Sequence, residues 1–136
     1  MSEYSERKDL IRRALYNYKH EASRYEVTRL LEALCFCLIL IRTDGGLVIP
    51  RDILAKVELE KDISSEEFIR HMRNSFCHLH YIDSILAKTE CDTAINKVTF
   101  IDISNESENF RVELSVSDLE NLLEKISEYF FKRDMM

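Results

Sequence analysis

The chain has 136 residues, enough for one domain with a buried core but short for two, and its 46% apolar and 32% charged content is that of a soluble globular protein. Its net charge is −6, and residues 101 to 136 carry nine Asp and Glu against four Lys and Arg. This balance excludes a general nucleic-acid coat, which needs a broad basic surface, but it allows an enzyme that contacts a few phosphates.

The first forty residues predict two helices, and the scarcity of glycine and proline favours them. Residues of about 5 to 19 place apolar side chains at helical spacing beside a basic cluster. Residues 22 to 42 predict a second helix that becomes apolar on every side before the glycine pair at Gly45 ends it. Because such a helix must be covered all round, it is either the centre of a monomeric bundle or part of a dimer seam.

Membrane insertion and metal binding have little support in the sequence. The longest apolar run, Ala33 to Ile41, is far shorter than the roughly 20 residues that a membrane-spanning helix needs. Residues 1 to 19 alternate charges with apolar residues, so we expect no signal peptide. The four cysteines show neither zinc-site spacing nor the density of a disulfide scaffold, and a helix would spread Cys77 and the nearby histidines over different faces. We therefore expect a cytoplasmic protein without a membrane segment, metal or cofactor.

The stretch from Ser64 to Tyr81, SSEEFIRHMRNSFCHLHY, combines a helix pattern with reactive side chains. Ser64 and Glu67 have the spacing of a capping box, which predicts where the helix begins. The apolar residues recur at the helical period and predict a buried face, namely Phe68, Met72, Phe76 and Leu79, with Ile69 on its flank. The other stripe is polar and consists of Glu67, His71, Asn74, Ser75 and His78.

Short elements surround this helix. Leu47 to Pro50 is expected to be extended, and residues 51 to 60 to form one or two helical turns. Ile82 to Leu86 is expected to continue the helical region, and Lys88 to Asn96 to form a loop.

Near residue 98, the spacing of the apolar residues changes from the period of a helix to the two-residue alternation of a strand. Apolar residues alternate in KVTFIDIS and in FRVELS, and the polar stretch Asn105 to Asn109 lies between them, which predicts a β-hairpin packed as a flap on the bundle. A last helix is expected to begin near Ser115 or Ser117 and to close at Lys132 and Arg133. The predicted fold class is mainly α, a helical bundle with a small β-hairpin near the C-terminus.

Arg73 has no carboxylate three or four positions away that could neutralise it within the helix. Asn74 and His78 are four apart and share a face, whereas Arg73 and His78 are five apart and diverge by roughly 140° on a regular helix. They converge only if Arg73 reaches round or the helix loosens near His78. Together the three side chains offer a cation, an amide and a group that titrates near neutrality.

Arg73, Asn74 and His78 read as RNxxxH within RNSFCH, which resembles the signature of HEPN domains. The resemblance implies a small helical bundle, RNA as substrate, a homodimer that shares two motifs across a cleft, and a toxin or antiphage role in which a protein antitoxin is a possible partner. His80 also falls within the permitted spacing from Arg73 and stays an alternative to His78. His71, His80 and Tyr81 are candidate substrate-binding residues.

The resulting hypothesis is a metal-independent endoribonuclease that uses the 2′-hydroxyl of RNA as nucleophile and therefore spares DNA. His78 would act as general base or acid, Arg73 would hold the phosphate, and Asn74 would position the histidine or the substrate. The alternatives are a non-catalytic HEPN-like module that binds RNA or a nucleotide, and a protein-interaction module. In a purely structural reading, Arg73 pairs with a distant carboxylate and His78 caps the helix end.

Overall fold

A computed structural model of the chain describes residues 3–20, 26–41, 47–59, 62–78, 84–89 and 95–131. These residues contain five helices, α1 (Glu3–His20), α2 (Glu26–Leu40), α3 (Arg51–Leu54), α4 (Ser65–Cys77) and α5 (Val116–Phe131). They also contain three strands, β1 (Ile85–Thr89), β2 (Ile95–Ser104) and β3 (Ser107–Ser115). The predicted fold class, a mainly helical bundle with a small β-hairpin near the C-terminus, is confirmed, and β1 adds a third strand to that hairpin. Within the described ranges, no helix combines the length and apolar character needed to cross a bilayer.

Helix α2 lies at the centre of the helical layer and contacts α1, α4 and α5. Leu30, Leu34 and Cys37 on its inner side are almost fully buried. On its outer side, Phe36 and Ile39 are 41% and 51% exposed, so the described part of the chain does not cover this helix all round. The predicted glycine stop at Gly45 falls outside the described residues.

The sheet is an antiparallel meander with the order β1-β2-β3. Phe100 of the central strand pairs with Ile85 of β1 and with Val112 of β3. The β2–β3 turn is shorter than predicted and consists of Asn105 and Glu106, whose φ angles of 52° and 63° match the two-residue turn that fits the twist of a hairpin.

Two expectations about this region are wrong. Ile85 to Thr89 forms an edge strand, where the sequence predicted helix followed by loop, because pairing with β2 fixes a segment too short to show its own period. The sheet is also not a flap. Phe100 and Phe110 are fully buried in the same core as the helices, so the strands are integral to the fold.

Both long helices that flank the sheet begin at side-chain caps. Ser64 Oγ accepts a hydrogen bond from the Glu67 amide at 3.1 Å, as the capping-box spacing predicts. At the start of α5, the Ser115 amide donates to Asp118 Oδ2 at 3.0 Å and the Asp118 amide donates to Ser115 Oγ at 3.2 Å. The end predicted at Lys132 and Arg133 lies outside the described residues.

Helix α4 packs on β2, and this contact positions the polar stripe of the helix. Phe68, Ile69 and Met72 are buried as the period predicts. His71 and Ser75 of the polar stripe are buried as well, because the sheet covers them. The Ser75 hydroxyl lies 2.9 Å from the carbonyl oxygen of Ile101 on β2, which ties the helix to the strand.

Candidate functional site

Two polar side chains of α4 and that of His78, which follows its last residue, converge on one carboxylate of the sheet, that of Asp102. Its Oδ2 atom lies 2.7 Å from Nδ1 of His71 and accepts a hydrogen bond of 3.0 Å from the side-chain amide of Asn74. Its Oδ1 atom lies 4.0 Å from Nδ1 of His78, within ion-pair distance. Asp102 is only 4% exposed, so these contacts replace most of the water that a carboxylate would otherwise bind.

Asp102 occupies a position of β2 that the alternation assigns to the core. Val98, Phe100 and Asp102 are spaced by two and therefore share one face of the strand, and all three are buried. A register shift between Asp102 and Ile103 follows directly, so the regular ladder is interrupted beside the carboxylate. A charged residue thus stands where the strand pattern calls for an apolar one.

His71 is fixed on two sides. Its ring stacks on Phe110 of β3, with centroids 4.8 Å apart and an angle of 9° between the ring planes, and its Nδ1 atom meets Asp102. With 5% of its surface exposed, it forms the inner wall of the site, and its fixed position sets the orientation of the carboxylate.

A pocket of about 490 Å³ opens between α4 and the β2–β3 hairpin. Its lining is polar and comprises Glu67, Arg70, His71, Asn74, His78, Asp102, Ser104 and Asn109. Arg70, Asn74 and His78 follow one another at intervals of four, so they line one face of the helix. The side chain of His78 is 44% exposed, and its backbone amide caps α4 by donating to the carbonyl oxygen of Asn74 at 2.9 Å. The pocket therefore presents a guanidinium, an amide and an accessible imidazole to a single ligand.

Arg73 lies on a neighbouring face of α4. Its Nη1 atom donates to the carbonyl oxygen of Ile41, just past the end of α2, at 3.5 Å, and Arg73 does not line the pocket. The structure thus brings Asn74, His78 and the candidate binding residue His71 together, and it leaves Arg73 apart. His80 and Tyr81 lie outside the described residues.

Sequence reasoning did not assign Arg70 and Asp102 to this site. Arg70 carried a signal, because it precedes Asn74 by four residues and must share its face. Asp102 could have been noticed as a charged residue at a core position of a strand. Its partners lie 28 and 31 residues away, and the sequence does not show that they are in contact. Within the described ranges, no group of three or more His, Cys, Asp or Glu side chains is arranged to hold a metal ion.

The helical bundle, with RNxxxH at the end of α4, fits the HEPN resemblance of the sequence. The family model described as HEPN pEK499 p136 matches residues 1–135, and the chain belongs to this family. No curated protein and no solved structure matches the chain. Membership of this family suggests a nuclease, a toxin-like protein or another RNA-related module.

Proposed function

We propose that the chain is a metal-independent endoribonuclease that cleaves RNA by attack of the 2′-hydroxyl. The observation that supports this most directly is the pocket on α4, which is lined by the accessible imidazole of His78, the amide of Asn74 and the guanidinium of Arg70. Imidazole suits proton transfer near neutral pH, and a guanidinium suits a phosphate. Membership of the HEPN family supports the same class of reaction.

His78 has the exposure and chemistry of the general base. It takes the proton of the 2′-hydroxyl while that oxygen bonds to phosphorus, and the bond from phosphorus to the 5′-oxygen breaks. The departing 5′-oxygen takes a proton from the second His78 of a dimer or from water. The products are a 2′,3′-cyclic phosphate and a 5′-hydroxyl, and DNA is not cleaved because it lacks the nucleophile.

Two arginines of α4 are candidates for the phosphate-binding cation. The RNxxxH pattern favours Arg73, whereas the geometry of one protomer favours Arg70, which lines the pocket. The proposal keeps both arginines as candidates, because a homodimer would bring residues of both protomers to a shared cleft. The exposed apolar side chains Phe36 and Ile39 of α2, with Leu10 of α1, support such a dimer.

The biological setting that we propose is a cytoplasmic toxin or antiphage nuclease, for which a protein antitoxin would be a natural partner. The whole chain, residues 1–136, would act as one HEPN domain. One contiguous buried core, to which helices and sheet both contribute, supports this organisation.

The test is incubation of the purified protein with single-stranded and structured RNA in EDTA. His78→Ala and Asn74→Ala are expected to remove cleavage, while His20→Ala, which changes a histidine that contacts Tyr16 on α1, leaves it intact. Each variant is checked for folding by circular dichroism. Cleavage that survives His78→Ala in a folded protein would refute the assigned site.

A non-catalytic module that binds RNA or a nucleotide is the second candidate. The position of Arg73 outside the pocket favours it, because the cation of the motif and its imidazole are then not joined in one site. This candidate predicts RNA binding without product formation by the wild-type protein, and loss of binding in Arg70→Ala or Arg73→Ala. A stable complex with a partner protein, without either RNA activity, would instead indicate an interaction module.

A further inference from the structure

We propose that Asp102 is a positioning residue for His78, holding its imidazole with the proton on Nδ1 and the Nε2 lone pair toward the pocket. The proposal rests on the proposed function, since it assigns a partner to the general base. It concerns a residue 24 positions beyond the motif, on a strand rather than on the motif helix.

The burial of Asp102 is the first argument. A carboxylate at a core position loses its hydration, which destabilises the fold unless other groups take the place of water. An apolar residue at this position would continue the pattern of Val98 and Phe100 without that penalty. The charge therefore needs a reason beyond packing, and the contacts of its two oxygens supply one.

The two oxygens of the carboxylate have different tasks. Oδ2 is engaged by both His71 and Asn74, at 2.7 and 3.0 Å, and this pair fixes the plane of the group. Oδ1 is left to face Nδ1 of His78 at 4.0 Å. Asn74 thus acts on the histidine indirectly, by holding the carboxylate that faces it.

The charge on Oδ1 selects the tautomer of His78. A nitrogen lone pair directed at a carboxylate oxygen is repelled, whereas an N–H directed at it is attracted, so the proton of the neutral ring belongs on Nδ1. Nε2 then carries the lone pair that can remove a proton from substrate. Since the ring is 44% exposed, a small rotation can shorten the 4.0 Å separation to a hydrogen bond when substrate arrives.

No other charged group among the described pocket residues is placed to select the tautomer of His78. On α4, Glu67 and Arg70 are three and two turns before His78, which corresponds to roughly 16 and 12 Å along a helix. The hairpin contributes Ser104 and Asn109 to the lining, both neutral. His71 faces the other oxygen of the same carboxylate.

The experiment measures the tautomer of His78 by ¹⁵N NMR of the imidazole, in the full-length protein at a pH where the ring is neutral. The wild-type protein is expected to show the Nδ1–H form. Asp102→Asn is expected to shift the population toward the Nε2–H form, which predominates in free histidine. The matched control is Asp118→Asn, which changes another buried aspartate, at the start of α5, that does not line the pocket.

Kinetics supply the second measurement. Asp102→Asn is expected to lower kcat by about 10- to 100-fold, the range of a misplaced general base, and to change KM less. Asp118→Asn is expected to lower stability while kcat stays near the wild-type value. A purely structural Asp102 would instead give two variants with the same pattern of lost stability and retained kcat.

The outcomes separate this proposal from the proposed function. If the wild-type protein cleaves RNA and folded Asp102→Asn keeps its kcat and its His78 tautomer, the positioning role is refuted and the nuclease stands. If the wild-type protein cleaves nothing, the nuclease fails, and the tautomer still decides whether Asp102 orients His78. Should Asp102→Asn not fold, an Nε2–H form of His78 in the wild-type protein is sufficient to overturn the role.

Discussion

Arg70 and Arg73 are separated by three positions on one helix, yet their side chains enter different environments. The guanidinium of Arg70 opens to the pocket, while that of Arg73 reaches the carbonyl oxygen of Ile41. Residues three positions apart on an α-helix are turned by roughly 60° from each other, which is enough to direct Arg70 to the pocket and Arg73 toward the end of α2. Substituting each arginine in turn therefore distinguishes the hypothesis that Arg70 binds the phosphate from the hypothesis that Arg73 does.

We expect Arg70→Ala to lower kcat/KM for RNA cleavage by about 100-fold, because it removes a charge-assisted contact to the phosphate. Arg70→Lys should recover part of the loss by keeping the charge. Arg13→Ala, which removes an exposed arginine paired with Asp9 on α1, serves as the control in the same RNA-cleavage assay. A variant Arg70→Ala with wild-type kinetics, beside an inactive Arg73→Ala, would assign the phosphate to Arg73.

Asp118 gives a prediction about pH at the scale of a single residue. Burial raises the pKa of Asp118, but hydrogen bonds from Lys56 and Ser115 outweigh burial and hold its pKa below the usual value. A lowered pKa in the folded state means that the residue stabilises the fold fully above its unfolded pKa of about 3.9. That contribution is lost as the pH falls further toward the folded pKa.

Asp118→Asn should therefore lower the free energy of unfolding by about 1–2 kcal/mol at pH 7, through loss of the ion pair and weakening of the cap. The difference from wild type should shrink below about pH 4, where the wild-type carboxylate also becomes protonated. Urea denaturation at pH 7 and pH 3 measures both. A difference that stays constant or widens toward low pH would contradict the assignment.

At the scale of elements, the β2–β3 turn is under local strain. Asn105 and Glu106 both have positive φ angles, a region that asparagine tolerates and glutamate does not favour. Glu106→Gly is expected to raise the free energy of unfolding by about 0.5–1 kcal/mol, because glycine adopts this conformation without steric strain. Glu124→Gly in the interior of α5 should have the opposite effect, a loss of about 1 kcal/mol. Thermal or urea denaturation of both variants tests the sign, and a destabilised Glu106→Gly would refute the turn type.

Local pattern was sufficient to predict the long helices and was insufficient for the edge strand. Helix α4 repeats its apolar period over three turns and carries a capping box, so its start at Ser64 could be predicted. Strand β1 has five residues, and its structure depends on pairing with β2 rather than on its own pattern. The burial of the sheet in the shared core was not predicted for a related reason, because the alternating pattern of a strand does not show which element covers its apolar face.

The candidate site likewise has one part that the sequence predicts and one part that it does not. Asn74 and His78 lie four apart on a helix, and their common face could be predicted from spacing alone. Their meeting with Asp102 depends on the packing of α4 against β2, a contact between parts of the chain 28 residues apart. Such contacts are fixed by the tertiary fold, which spacing within one helix does not report.

At the scale of the whole molecule, the exposed apolar side chains of α1 and α2 lead to a prediction about assembly. Phe36→Glu and Ile39→Glu should each convert the proposed homodimer to a monomer, because a charge would be buried at its seam. Leu59→Glu, at a residue that is 54% exposed outside these helices, is the control. Light scattering coupled to size-exclusion chromatography gives the mass of each, and a wild-type monomer would rule out the seam.

The site lies on a helix that is hydrogen-bonded to the central strand, and this has a consequence for how the site unfolds. His71, Asn74 and Ser75 all bond to β2, so the site can come apart only if α4 separates from this buried strand. Amide protons of α4 and β2 should then exchange with solvent through one shared opening reaction. Loss of activity in denaturant would coincide with global unfolding, rather than precede it as in enzymes whose active sites lie on loosely held loops.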